Sequence, residues 1–164
     1  PEGSVSIIDL PGNIQQLVQA NVRTASFAKF NSMALDPSIR ITGPGATVAQ
    51  DMEPEYITAS KDGKTAWVAL QENNALAVLD IESGEFTSLR GMGFKDHMLA
   101  GNGMDVSDDR NTAVQITQWP VFGVYMPDAV ASYEFQGRNY IVTANEGDAR
   151  EYDGYADTRR FRAR

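Results

Sequence analysis

At 164 residues the chain is long enough for one domain with a real core, and 42% apolar against 22% charged residues is a globular rather than a disordered composition. The formal net charge of −8 argues against a nucleic-acid backbone as partner, because that binding needs Lys and Arg to neutralise phosphates; it suits a secreted protein or one that meets cations. With no cysteine there is neither disulfide nor thiolate chemistry, and no apolar run approaches the ~20 residues of a membrane helix.

The chain starts at Pro1 and stops at FRAR, so it reads as a fragment, a processed piece or the ordered part of something longer. The absence of a visible signal peptide therefore carries little weight. SVSIIDLPGN, from Ser4 to Asn13, is a strand followed by a turn. Beyond it, Ile14, Leu17, Val18 and Val22 have helical spacing, which predicts one or two short helices in the segment 13–38.

The clearest periodicity runs from Glu53 to Leu89, about 37 residues. Strands are predicted from Tyr56-Ile57, over Ala66 to Leu70, over Ala75 to Ile81 and over Phe86 to Leu89. They are separated by Lys61-Asp62-Gly63-Lys64, Glu72-Asn73-Asn74 and Glu82-Ser83-Gly84-Glu85. Four short strands joined by tight turns make an antiparallel meander, close to the ~40–50 residues of one propeller blade. The segment has echoes on both sides. MPDAVASYEFQGRNYIVTANEGD repeats MEPEYITASKDGKTAWVALQEN at an offset of 73 to 74 residues, and SVSIIDLPGN echoes ALAVLDIESG at 71. Residues 90–124 are rich in Gly, Asp and Asn and read as a long loop excursion, of the kind that is usually functional or mobile.

The fold class expected is all-β: part of a β-propeller of four-stranded antiparallel blades with short helical and loop insertions. The layout over 1–164 is the end of one blade (1–12), an insertion and entry strand (13–52), a complete blade (53–89), a long loop insertion (90–124) and the start of the next blade (125–164). Trp67 and Tyr140 are expected to face the cores of their blades. An isolated fan of two to three blades would leave Val5, Ile7 and Ile8 bare at one end, and Tyr140, Ile141 and Val142 at the other. Those faces call for further polypeptide: the remainder of the same protein, a companion chain or a neighbouring copy.

The motifs DMEPEYI, WVALQENNALAV, GFKDH, YMPDAVASY and TANEGDAREYD, in that order, resemble the bacterial choice-of-anchor I proteins. Their animal relatives are mesenchyme-specific cell-surface glycoproteins linked to biomineral formation. The blade itself is similar to the YVTN-type propeller repeat. The resemblance runs from Gly3 to about Asp153. It implies a secreted or surface-tethered propeller of bacterial origin, larger than this chain, whose relatives are often labelled alkaline phosphatase or esterase-like by analogy.

VTANEGDAREYD places Glu146, Asp148, Glu151 and Asp153 after a strand. Two readings stand: a solvated acidic loop in which Arg150 pairs one or two carboxylates, or a calcium site in which Glu146 and Asp148 supply hard oxygens. In NGMDVSDDRN, Asp105, Ser107, Asp109 and Asn111 alternate as in a calcium loop. An EF-hand is excluded, because Arg110 stands where Gly is needed and Ile116 where Glu is needed. A looser calcium loop and a polar turn capped by Asp and Asn both remain open. His97, the only histidine, sits beside Asp96 in GFKDH and is the candidate general base or metal ligand. No Gly-x-Ser-x-Gly elbow, HExxH motif or P-loop is present. RRFRAR, from Arg159, reads as a strand or loop cut short rather than a nucleic-acid tail.

The leading function is a cell-surface binding or scaffold module associated with Ca2+. The rival is a metal-dependent phosphoesterase of propeller fold, with Glu146, Asp148, Asp96 and Asp105 on metal and His97 assisting proton transfer. The two part on whether GFKDH and NEGDAREYD meet in one pocket.

Overall fold

The computed structural model describes residues 1–107 and 113–159. β1 (Ser4–Ile8) pairs antiparallel with β2 (Val22–Ser26), with Val5 opposite Ala25. Between them the helical spacing produces two single 3-10 turns, Ile14–Gln16 and Gln19–Asn21. Asn13 caps the first through Gln15 N–H, and short runs of this kind are where 3-10 geometry normally occurs. A third 3-10 turn, Ala28–Ser32, precedes the four-residue α1 (Val48–Asp51). Thr47 and Gln50 cap each other's backbone N–H at the start of α1.

The predicted meander is present. β3 (Ile57–Ala59), β4 (Thr65–Leu70), β5 (Ala75–Asp80) and β6 (Glu85–Gly91) form one antiparallel sheet in sequence order. Its turns are built by local acids. Asp62 accepts from Ser60 Oγ and Lys64 N, and these bonds, the hydroxyl first, hold its carboxyl below the ordinary range. Asp80 accepts from Ser83 N in the same way.

This sheet is covered on both faces, which explains why β4 and β5 read as almost unbroken apolar runs. On one face Val68, Leu70, Ala77, Leu79 and Phe86 pack with Val5, Ala25, Phe27 and Phe30. The Phe27 and Phe86 rings stack with centroids 4.0 Å apart, a pairing worth roughly 0.5–1.5 kcal/mol beyond the area buried. On the other face Ala69 and Leu76 meet Val130 of the next hairpin, with Met92 and Ile141 partly buried beside them.

The excursion 90–124 is not a featureless loop. β7 (Phe94–Asp96) pairs antiparallel with β8 (Phe122–Val124), and a single bridge joins Met104 to Thr117. The next hairpin follows: β9 (Pro127–Phe135) pairs with β10 (Arg138–Asn145). Its two-residue turn has Gln136 at φ 50 and Gly137 at φ 71, the left-handed pair that matches strand twist. A small hairpin of β11 (Glu151–Tyr152) and β12 (Tyr155–Ala156) ends the described chain. The protein is all-β and antiparallel. A four-stranded sheet sandwiched between two further hairpins is the layout of part of a β-propeller.

Two expectations are corrected. Trp67 is only half-buried and Tyr140 is 40% exposed; the core-facing residues of β4 are Ala66, Val68 and Leu70, on the opposite side of the strand from Trp67. Val5 is not bare at all. It is 7% exposed, because β2 brings Ala25 alongside it and both reach the main core. Ile8 and Val142 are exposed as expected.

Candidate functional site

The acidic motif after β10 does meet an arginine, but its own carboxylates are not what the arginine pairs. Arg150 is 3% exposed, and its Nη1 lies 2.6 Å from Asp51 Oδ2 while its Nε lies 3.3 Å from Glu53 Oε2. Nη1 also donates to Thr42 Oγ1 and Nη2 to the Asp51 carbonyl. Burial lowers the guanidinium's affinity for its proton. The hydrogen bond and charge of Asp51, with those of Glu53, more than offset this and leave its pKa above the ordinary value. Asp51 is met from the other side by Gly43 N, Thr42 N and Asn73 Nδ2. A buried charge pair needs such extra bonds to be tolerated.

The rest of the C-terminal segment docks around this pair. Arg40 pairs with Asp157 at 2.8 Å, the Tyr155 hydroxyl donates to Thr42 O, and the Tyr152 hydroxyl donates to Glu53 Oε1. The bond to Glu53, followed by burial, pushes the Tyr152 phenol up to about 12. The segment from Arg150 to Asp157 is thus a strap, tied to residues 40–53 about a hundred positions earlier.

The turn between β4 and β5 holds the other side of the arrangement. Asn73 and Asn74 are fully buried. Asn73 Nδ2 donates to Arg40 O, Asp51 O and Asp51 Oδ2. Asn74, at φ 52, donates to Ser38 O and Gly93 O and accepts from Tyr125 N and Met126 N. Asn tolerates the left-handed conformation better than most residues, and here it stitches four chain segments together. Glu72, next in line, is 9% exposed, and its Oε2 has no hydrogen-bond partner among the described residues. Burial, and then repulsion from Glu53 and Glu55, hold its carboxyl above the ordinary glutamate value despite the attraction of Arg150. A cleft of about 750 Å3 lies beside Glu53 and Tyr152, with Glu2, Gln50, Met52 and Glu55 also on its border.

The residues singled out from sequence lie elsewhere. Glu146 and Asp148 are exposed, and Asp148 Oδ1 accepts from Ala149 N at 2.7 Å. Asp96 accepts from Met98 N. Asp105 accepts from Ser107 N and Gln115 N, and these two bonds, in that order, hold its carboxyl below the ordinary range. Asp109 lies outside the described residues.

His97 is buried with Nδ1 2.6 Å from the Asn102 carbonyl. A carbonyl only accepts, so Nδ1 carries the proton. Its Nε2 packs so near Gly123 that a Cβ there would come within 2.8 Å, which makes the glycine necessary. Backbone bonds from His97 to Val121 and Trp119 complete a role as a pin for the excursion. Among the described residues, no hydrogen bond or ion pair joins the His97 loop to the acidic turn, and no three His, Asp or Glu side chains are grouped to hold a metal.

Comparison with protein families places this geometry. The model of the choice-of-anchor I domain matches residues 1–164. The chain belongs to the choice-of-anchor I family. No curated protein and no solved structure matches it. The family assignment rests on the whole chain, including the strap and the turn of Asn73 and Asn74, which sequence reasoning had not singled out. The signal available for them was slight: two consecutive Asn in a tight turn, and Asp and Glu flanking Met52 just before the blade.

Proposed function

We propose that this chain is part of a bacterial cell-surface β-propeller whose role is binding or scaffolding. The observation that carries the reading is the choice-of-anchor I match over the full 164 residues. The layered architecture supports it. Alternation along the last hairpin sends Val130, Ser132 and Ile141 toward the middle sheet and Ala131, Tyr133, Phe135, Tyr140 and Val142 outward. The outward row is apolar, and Tyr133 stacks on Tyr140 at 5.2 Å. Strands apolar on both faces are built to be sandwiched, as β4 and β5 are, so a further sheet of the propeller is the natural cover. Among the described residues no helix is long and apolar enough to cross a membrane.

The test is labelling of intact cells that make the full-length protein, with a membrane-impermeant amine reagent aimed at the exposed Lys61 and Lys64. Modification on intact cells is the expected result. Modification only after lysis would overturn the surface assignment.

Calcium belongs to the same reading through the turn at Glu146 and Asp148. Both carboxylates face water on either side of Gly147, and carbonyls and waters would supply further oxygens. Calorimetric titration with calcium should show saturable binding, weakened at least about tenfold in the Glu146→Gln/Asp148→Asn double variant. Equal affinity in the variant would remove calcium from this turn.

A further inference from the structure

The two ends of the stack carry complementary halves of a blade. Among the described residues β1 pairs only with β2, and β10 only with β9. SVSIIDLPGN echoes ALAVLDIESG, which gives β1 the place that β5 holds, third in its blade. β9 and β10, joined by a tight turn and echoing β3 and β4, are a first and a second strand. So β1 lacks the second strand it would pair with, and β10 lacks the third. They cannot supply each other within one chain, because β1 lies on one face of the β3–β6 sheet and β10 on the other.

The backbone at both edges points the right way. Asp9 N donates to Asn21 O, so alternation turns Val5 and Ile7 toward β2 and leaves the N–H and C=O of Ser4, Ser6 and Ile8 at the open edge. Their counterparts Ala75, Ala77 and Leu79 face β4 in the same way, because Ile81 N donates to Lys64 O. On β10, Phe135 and Arg138 flank the two-residue turn as its hydrogen-bonded pair, so Asn139, Ile141 and Thr143 keep theirs for the open edge. The exposed side chains match as well. β2 lies against β6 on one sheet face, whereas at the β3 end of that face Ile57, opposite Val68, is 46% exposed. What is missing there is a first and a second strand. β9 and β10 are such a pair, and their outer row, with Tyr133, Tyr140 and Val142, is uncovered.

We propose that β10 takes β1 of a second copy of this chain as its next strand, antiparallel, completing a four-stranded blade across the two molecules. The proposal rests on the propeller reading and names the polypeptide that continues the stack. Its register follows from β4 and β5, where Val68 lies opposite Ala77 and Ala66 opposite Leu79. Pro127 matches Pro54, so Val130 and Thr143 correspond to Ile57 and Val68. Thr143 therefore lies opposite Ser6 of the second copy, and Ile141 opposite its Ile8. Docking covers Ile8, 50% exposed in the single chain, and sets Tyr140 and Val142 of one copy toward Ile57 of the other. Such a contact is head-to-tail, so association proceeds to open chains or closed rings rather than to a two-fold dimer.

The test is sedimentation of the whole chain over a concentration series, in which association beyond the monomer is expected. Ser6→Pro removes an open-edge donor, leaves the β1–β2 bonds in place and should weaken association at least about tenfold. If that variant unfolds, Val142→Glu carries the test. Its position is 57% exposed in the single chain, so the fold tolerates the charge, and association should weaken as much. Val114→Glu, at an exposed position on the excursion, should associate as the parent does. A monomer at every concentration overturns the pairing and leaves the surface assignment to the labelling experiment. Parent-like association in Val142→Glu overturns it too, and equal weakening by Val114→Glu would reduce the effect to added charge. Because the chain has no cysteine, mixing Ser6→Cys protein with Thr143→Cys protein under a mild oxidant reads the register. A disulfide between the two variants is expected, since directly opposite residues of this kind lie about 5.5 Å apart at Cα. Its absence overturns the proposal, and so does the same disulfide closing inside single molecules of the double variant.

Discussion

Arg150→Met should lower the free energy of unfolding by about 3–5 kcal/mol, seen as a fall in the urea midpoint. The side chains of Arg150 and Asp51 are each 2% exposed, so the substitution leaves a carboxylate in the interior without its counter-ion. Asp51 would keep Gly43 N, Thr42 N and Asn73 Nδ2, which soften the loss but do not supply a charge. The strap would also lose its main anchor, because Glu53 and Thr42 are held by the same guanidinium. Arg150→Met combined with Asp51→Asn removes the orphaned charge and should recover part of the stability, giving a clear interaction energy in a double-mutant cycle. A loss below ~1 kcal/mol in the single variant would mean that the strap is not docked as described.

That pair also shows where sequence reading stops. The meander from β3 to β6 was legible because what makes it is local: β-forming runs, an Asp two or three residues from the group it caps and a Gly in the first and last turns, and an Asn pair in the middle one. The repeat carried the reading further, to the hairpin of β9 and β10. Arg150 could be recognised as a residue that needs a carboxylate. Four acids lie within four positions of it, however, and nothing in the spacing says that the partners are Asp51 and Glu53, 99 and 97 residues away. The choice is made by the fold, which brings the segment after β10 against the residues just before β3. Trp67 failed for a related reason. Its place on the second strand, just after the turn glycine, suggested the core, but period-two alternation puts it on the face opposite Val68, where cover is thinner. β7 and β8 were missed because each is three residues long and some 25 residues separate them, too little pattern to call a pair. His97 was visible only as a titratable side chain; its packing against Gly123 is a tertiary fact.

Glu72→Gln should stabilise the protein at neutral pH by about 1–3 kcal/mol, because a neutral amide replaces a buried carboxylate that Glu53 and Glu55 repel. The pH dependence separates this effect from simple repacking. Burial, and then the charges of Glu53 and Glu55, hold the folded-state pKa of Glu72 above its ordinary 4.5, with Arg150 pulling the other way. Between those two pKa values the folded chain binds more protons than the unfolded one, so stability falls as pH rises through that window. What protonated Glu72 contributes is complete below 4.5 and is lost as pH passes the folded value. Gln at this position has no proton to lose. Parent and variant should therefore have similar stability near pH 4, and their curves should separate as pH rises, the variant lying above. The other groups in reach, Glu53, Glu55 and Arg150, are present in both proteins and cancel in the difference. Denaturation at a series of pH values gives that difference directly. Curves that stay parallel from pH 4 to pH 8 would show that Glu72 does not titrate in this window, and that its unpartnered oxygen is satisfied in solution.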